Sequence, residues 1–280
     1  MALRDVGSAT ALIAPRSGES RFPPFFLPHP RPAARLRLFC LPFAGGMPWA
    51  FRSWATALTD EIEVCAVCLP GRAWRVKEPV PTCMTTMAQE IAAAMQSLFD
   101  KPYAIFGHSF GALCAYSVAC EIAMFAQRSP VKILVSACSA PGQQHADGPL
   151  HDLPDEVFRE AMDRRYGVVA KMKETPELLD MTLSLLRSDL KLAATLPNCS
   201  TVLRVPITVL FGTADPETSP EGIARWRSLT SEAFSTREYD GGHFFPFDHE
   251  KSLIPAIEQE LLNEAALKSY VGRSAGQPLA

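Results

Sequence analysis

The sequence predicts an α/β domain: a mostly parallel central sheet with helices on both faces and a helical lid insertion. Three observations carry this reading. Short apolar runs alternate with longer segments of helical periodicity, the pattern of parallel strands joined by crossover helices. The runs Ile62–Leu69 and Ile207–Phe211 are nearly continuously apolar, as strands covered on both faces are. Third, Gly107-His108-Ser109-Phe110-Gly111 follows the apolar run Pro102–Phe106 and precedes the small-residue stretch Ala112-Leu113-Cys114-Ala115-Tyr116.

In chain order, Leu36–Leu41 reads as the first strand of the domain and ends in the small-residue loop Pro42-Phe43-Ala44-Gly45-Gly46. Trp49–Leu58 carries Phe51, Trp54 and Leu58 at helical spacing. Ile62–Leu69 is the next strand and stops at Pro70-Gly71. Met84–Phe99 places Met87, Ile91, Met95 and Leu98 on one helical face. Tyr103–Phe106 is the strand leading into Gly107, and Gly111–Arg128 is the helix that follows it. Lys132–Val135 and Ile207–Phe211 are further strands. Between them Pro154–Arg165 and Pro176–Leu196 are amphipathic helices, each opened by a proline suited to a first turn. One crossover helix would suffice there, so the interval of about 143–200 is read as a lid. Its apolar residues Phe158, Met162, Leu179, Leu183 and Leu186 are expected to divide between core contacts and the wall of a chamber beneath the lid.

The folded domain is placed at residues 35–265, with 266–280 as a flexible tail. The extension 1–34 is crowded with Pro23, Pro24, Pro28, Pro30 and Pro32, so it cannot pair as a central strand and is expected to lack fixed structure. It is arginine-rich, which leaves a transit peptide open, but it does not fit a secretory signal, and the cytoplasm is the default location.

Of 280 residues 48% are hydrophobic, enough for one large core, and a net charge of -3 gives no long-range pull toward nucleic acid or anionic lipid. No apolar stretch is long enough to span a bilayer. Eight cysteines lie mostly inside apolar runs and read as reduced core thiols. Cys65 and Cys68 form a C-x-x-C, but three positions apart on a strand they point to opposite faces, which argues against a metal site.

A strand, G-x-S-x-G and a helix in succession are what a nucleophile elbow requires, as in the α/β-hydrolase fold. The turn lifts the Ser109 hydroxyl above the sheet, and the helix start favours negative charge beside it. A serine needs a base steadied by a carboxylate, in the chain order serine, acid, histidine. Among six histidines His29 is in the extension, His108 is held inside the elbow, and His145 and His151 precede the lid. His249 opens the last helix. His243, on the glycine-rich loop Tyr239-Asp240-Gly241-Gly242-His243-Phe244-Phe245, is the expected base. Asp215, in Gly212-Thr213-Ala214-Asp215-Pro216 after a strand, is the expected acid; Asp147 is the alternative, and Asp240 is too near His243 in sequence. The oxyanion donors are expected to be the backbone amides of Phe110 and Ala44, with Phe43 the rival of Ala44.

These residues resemble the type II thioesterases of polyketide and nonribosomal peptide synthesis, and the medium-chain acyl hydrolases that act with fatty acid synthase. The resemblance runs from about Arg35 to Leu262. Besides the elbow, it is carried by Leu41-Pro42-Phe43-Ala44-Gly45-Gly46, Leu69-Pro70-Gly71-Arg72 with Arg75 and Glu78-Pro79, Leu186-Arg187-Ser188-Asp189-Leu190, Gly212–Asp215 and Gly241-Gly242-His243-Phe244-Phe245. It implies an α/β-hydrolase fold and a thioester hydrolase that removes acyl groups from the phosphopantetheine arm of a carrier protein. It maps Ser109, Asp215 and His243 onto the family's triad. It implies no metal or organic cofactor of the enzyme's own, and a monomeric catalyst whose partner is the acyl carrier protein, not nucleic acid or membrane. A carboxylesterase or lipase, and a catalytically idle carrier-binding module, are the rival expectations. Arg72, Arg75 and Glu78 are expected to form a surface ion-pair cluster bracing the loop after a strand, with direct contact to an acidic carrier protein as the alternative.

Overall fold

The computed structural model describes residues 11–12, 24–125, 128–142, 149–196 and 201–262. Its sheet has eight strands: β1 (Ala11–Leu12), β2 (Phe25–Leu27), β3 (Leu36–Leu41), β4 (Ile62–Val67), β5 (Tyr103–His108), β6 (Ile133–Ser136), β7 (Ile207–Gly212) and β8 (Phe234–Tyr239). Their spatial order is β1-β2-β4-β3-β5-β6-β7-β8. Strands β3 to β8 run parallel, while β2 joins β4 antiparallel and β1 joins β2 antiparallel. The chain leaves β3 toward β4 on one side, then crosses to β5 on the other and works outward to β8. The loops after β3 and β5 therefore part from adjacent strands, and the crevice between them is where a parallel sheet offers its ligand site.

The helices are α1 (Arg52–Ala57), α2 (Met84–Met95), α3 (Phe110–Phe125), α4 (Asp155–Tyr166), α5 (Val168–Met172), α6 (Pro176–Ala194), α7 (Pro220–Arg225), α8 (Phe245–Asp248) and α9 (Glu250–Leu261). On α2, Met84, Met87, Ala88, Ile91 and Met95 are buried at three- and four-residue spacing, the stripe that packs against α3 and the sheet. The apolar runs of β3, β4, β5 and β6 are buried along their whole length, as strands with both faces covered require. The described cysteines are free thiols, with Cys40, Cys65, Cys68 and Cys114 buried. Burial pushes the Cys68 thiol up to about 11, so it stays protonated. Among the described residues no helix is long and apolar enough to cross a membrane.

Three strands escaped the sequence reading: β1 and β2 in the extension, and β8. β8 is the outer edge of the sheet, and its Ser235, Thr236 and Glu238 are exposed, so it carries no apolar run to find. β2 corrects the expectation that residues 1–34 lack fixed structure. Phe25, Phe26 and Leu27 are 2%, 4% and 5% exposed; Phe25 and Phe26 pair with Val67 and Ala66 of β4, and Leu27 pairs with Ala11 of β1. The flanking Pro24 and Pro28 lie just outside the three strand residues, so no ladder donor is lost within them. Arg31 then anchors the segment, its guanidinium donating to the carbonyls of Leu58, Thr59 and Ile62 at 2.8–3.0 Å while its amide donates to Glu63.

The interval between β6 and β7 holds α4, α5 and α6. The first and last were expected; the five-residue α5 was not, and it starts after Gly167, whose φ of 63° ends α4 in a left-handed cap. These helices bury a cluster of their own, Leu150, Phe158, Ala161, Met162 and Leu186, separate from the main core.

Because Phe25 packs on Phe39 with ring centroids 5.6 Å apart, Phe25→Ala should lower the unfolding free energy by about 3–5 kcal/mol. Chemical denaturation measures this, and an unchanged midpoint would show that β2 contributes nothing to the fold.

Candidate active site

β5 ends at His108, and α3 begins at Phe110, so Ser109 alone makes the turn between them. Its φ is 57°, a left-handed conformation that a residue with a side chain adopts only when its surroundings hold it there. The Ser109 amide donates to Ser136 O on β6 at 2.8 Å, and its carbonyl accepts from Ala112 N at 2.9 Å. The turn is so tight that a Cβ on Gly107 would sit 2.0 Å from Gly111 O. A Cβ on Gly111 would sit 2.2 Å from Leu41 O, because the loop after β3 lies directly on the first turn of α3. Both glycines are steric requirements of the elbow.

The loops after β7 and β8 bring the other expected residues to this turn. His243 Nε2 lies 3.0 Å from Ser109 Oγ, and His243 Nδ1 lies 3.0 and 3.1 Å from the two carboxylate oxygens of Asp215. A carboxylate only accepts, so Nδ1 carries the proton and Nε2 is free to take the serine's. His243 and Asp215 are each 6% exposed. The two loops are tied together by Ala214 N donating to Gly241 O and Thr213 N donating to Tyr239 O, both at 2.9 Å. Asp215 Oδ1 also accepts the Glu217 amide at 3.0 Å. Of the alternatives, Asp240 is exposed and His249 is an exposed residue ahead of α9, while Asp147 and His145 lie outside the described residues.

His151 and Ser109 line a cavity of about 600 Å³ with Leu113, Leu150, Leu190 and Ala193 among its apolar wall. Here the wall expected from sequence is corrected. Phe158, Met162, Leu183 and Leu186 belong to the lid's own cluster, Leu179 is buried elsewhere on α6, and none of the five lines the cavity. The inner face of α6 turned to the cavity is instead its last turn and a half.

Two residues at the cavity were missed. The Tyr166 ring lies 5.1 Å from the His243 ring, and burial followed by the negative charge of Glu217 pushes its phenol well above the usual range. Glu217 itself pairs with Arg165. Tyr166 as the last residue before a helix-ending glycine, and Glu217 two positions after the acid, were the available signals.

The expected surface cluster is also corrected. Arg75 does pair with Glu78 at 2.6 Å, but Arg72 has a fully buried side chain and forms a two-pronged pair, at 2.6 and 2.9 Å, with the equally buried Asp189 of α6. The apolar surroundings of the 69–72 loop gave no sign of a buried carboxylate from the lid, more than a hundred positions away.

His108, just before the serine, is sealed inside. Its Nδ1 lies 3.1 Å from Ser136 Oγ and its ring 5.2 Å from that of His243. Burial first, and His243 second, hold its pKa well below the ordinary histidine value. The unfolded chain therefore takes up this proton more readily than the folded one. The neutral ring's contribution to stability is complete above about pH 6.5 and is lost as the pH falls below it. His108→Gln should flatten the fall in unfolding free energy between neutral and mildly acid pH, measured by denaturation at a series of pH values. An unchanged slope would mean that His108 titrates normally.

Comparisons with known proteins identify the family. The sequence model of the Thioesterase domain family matches residues 36–261. The thioesterase PikA5 of Streptomyces venezuelae is 34% identical over 236 residues, covering 84% of this chain and 84% of its own. The structure of RedJ, the thioesterase of the prodiginine biosynthetic pathway in Streptomyces coelicolor, superposes with a TM-score of 0.74 at 34% identity, over 82% of this chain and 87% of that one. The type II thioesterase BorB of the borrelidin biosynthetic cluster gives 0.77 at 31% identity, over 85% and 97%. With the family match running from the first residue of β3 to the last of α9, this chain belongs to the thioesterase-domain family and has its α/β-hydrolase fold.

Proposed function

We propose that Ser109, His243 and Asp215 are the catalytic triad of a type II thioesterase, which hydrolyses acyl groups from the phosphopantetheine arm of a carrier protein. The observation that carries this reading is the chain of contacts at 3.0 Å from Asp215 through His243 to Ser109, opening on an apolar chamber. Three relatives named for thioesterase activity, two of them tied by name to biosynthetic pathways, support the substrate class.

In this reading His243 Nε2 takes the Ser109 proton as Oγ attacks the thioester carbonyl. The oxyanion is received by the amides of Phe110 and Ala44, neither of which donates to an acceptor among the described residues. The tetrahedral intermediate collapses, the C–S bond breaks, and His243 returns its proton to the departing pantetheine thiolate. Water, deprotonated by His243, attacks the acyl-serine, and a second collapse releases the carboxylic acid and restores Ser109. Asp215 holds the Nδ1–H tautomer and stabilises the imidazolium at each stage. The partner is the acyl-phosphopantetheinyl carrier protein of a polyketide, nonribosomal peptide or fatty acid synthase, met in the cytoplasm by a monomeric enzyme.

Ser109→Ala should abolish hydrolysis of an acyl-pantetheine thioester while the protein stays folded, and Asp215→Asn should lower kcat by about ten-thousandfold through the wrong imidazole tautomer. A folded Ser109→Ala enzyme with appreciable turnover would place the nucleophile elsewhere. Wild-type enzyme should favour the thioester over the matched oxygen ester; a preference for the oxygen ester would make it a carboxylesterase.

The chamber sets chain length in this reading. Ala193→Trp and Leu190→Trp should shift preference toward shorter acyl groups while acetyl hydrolysis survives, since each methylene in an apolar pocket is worth about 1–3 kcal/mol. A series of acyl-carrier thioesters measures the shift, and an unaltered profile in both folded variants would show that the acyl chain lies elsewhere.

A further inference from the structure

The loop that presents the Ala44 amide is a turn over Phe43–Gly46, closed by Gly46 N donating to Phe43 O at 2.8 Å. Gly45, its third residue, has φ 72°, as a type II turn requires. Types I and II differ by turning over the central peptide, here the one between Ala44 and Gly45, so the direction of the Gly45 N–H decides which turn forms. That N–H donates to Asp189 Oδ2 at 2.7 Å, a charge-assisted bond to a carboxylate on the lid helix α6. The carboxylate is aimed by Arg72, which holds both its oxygens at 2.6 and 2.9 Å and also donates to Gly46 O at 3.1 Å and Pro70 O at 3.4 Å. The turn is thus gripped at two points: Asp189 fixes its central peptide, and Arg72 fixes the carbonyl of its last residue, Gly46. Neither side chain reaches solvent. Removing one partner of such a pair leaves an uncompensated buried charge, whereas an apolar pair of similar volume is tolerated.

We infer that Asp189 is a positioning residue for oxyanion stabilisation: aimed by Arg72, its carboxylate locks the turn that presents the Ala44 amide, so that the loop carrying this donor is held rigid only while α6 is docked. The inference rests on the proposed triad and oxyanion donors. It makes the lid more than a wall of the chamber. A displaced α6 takes the acceptor away from Gly45 and leaves the turn that carries the donor amide free to rearrange.

The test uses Arg72→Met/Asp189→Leu, which removes both charges and keeps an apolar filling, together with the near-isosteric Asp189→Asn. Each is compared with wild type in kcat and KM for an acyl-pantetheine thioester. Each is also compared in affinity for a trifluoromethyl ketone analogue, which forms an oxyanion on serine, and for an unreactive thioether analogue. The expected result is a fall in kcat of about ten- to a hundredfold, short of the 10²–10³ for outright loss of a donor. Ketone affinity should fall in parallel, with KM and thioether affinity within about threefold of wild type. A role confined to stability would lower the melting temperature and leave the ratio of ketone to thioether affinity unchanged, and that result overturns the inference. Ser109→Ala run alongside separates the two readings. If it abolishes turnover while both Asp189 variants keep wild-type kcat and ketone affinity, only the positioning role falls. If Ser109→Ala retains turnover, the triad reading falls and the positioning role falls with it.

Discussion

The backbone of Leu41 and Pro42 lies so close to the first turn of α3 that nothing larger than the hydrogen of Gly111 fits between them. This approach is possible because β3 and β5 are hydrogen-bonded neighbours in register, with Leu41 opposite Gly107. From that pairing the positions of the site's parts follow. The loop after β3 is pressed against the serine's helix, the serine is forced into its left-handed turn, and the helix start faces the same crevice as the Ala44 loop. The acid and base then arrive on the loops after β7 and β8, two and three strands farther out, and reach inward to meet the serine. A separation of even one strand between β3 and β5 would leave the elbow without its partner loop.

The legibility of the sequence followed the strength of the physical signal in each segment. β3 to β7 are buried on both faces, so their apolar runs announce them, and Gly107, Ser109 and Gly111 are constrained so tightly that the pentapeptide is readable alone. Asp215 and His243 could be placed because a strand and a glycine-rich loop fix where they fall. β8 was invisible because an edge strand has no second face to bury, and β2 because its three apolar residues sit between prolines that argue for loop. The chamber wall was misassigned for a different reason. Helical periodicity shows that Phe158, Met162 and Leu186 face something apolar, yet it cannot distinguish another lid helix from an empty cavity. Arg72 and Asp189 were hidden by the rule that charged residues are exposed unless paired, since the pair is made across 117 positions of sequence.

Charge is kept away from the middle of this site except where a partner compensates it. His108 is held neutral by burial, Tyr166 keeps its proton, and the carboxylate of Asp215 faces a histidine whose other nitrogen is on the serine. In such surroundings each interaction with a developing oxyanion is stronger than it would be in water, because little else competes for the field.

The lid buries Leu150, Phe158, Ala161, Met162 and Leu186 in a cluster of its own. A segment with a cluster of its own can loosen locally while the sheet beneath keeps its packing, although Leu192 and the Arg72–Asp189 pair still tie this one to the body of the domain. This divides the molecule into a part that holds the serine, acid and histidine and a part that shapes the space above them. Substitutions that reshape the lid's interior alter the shape and mobility of the chamber roof, and their cost is confined to a few dozen residues.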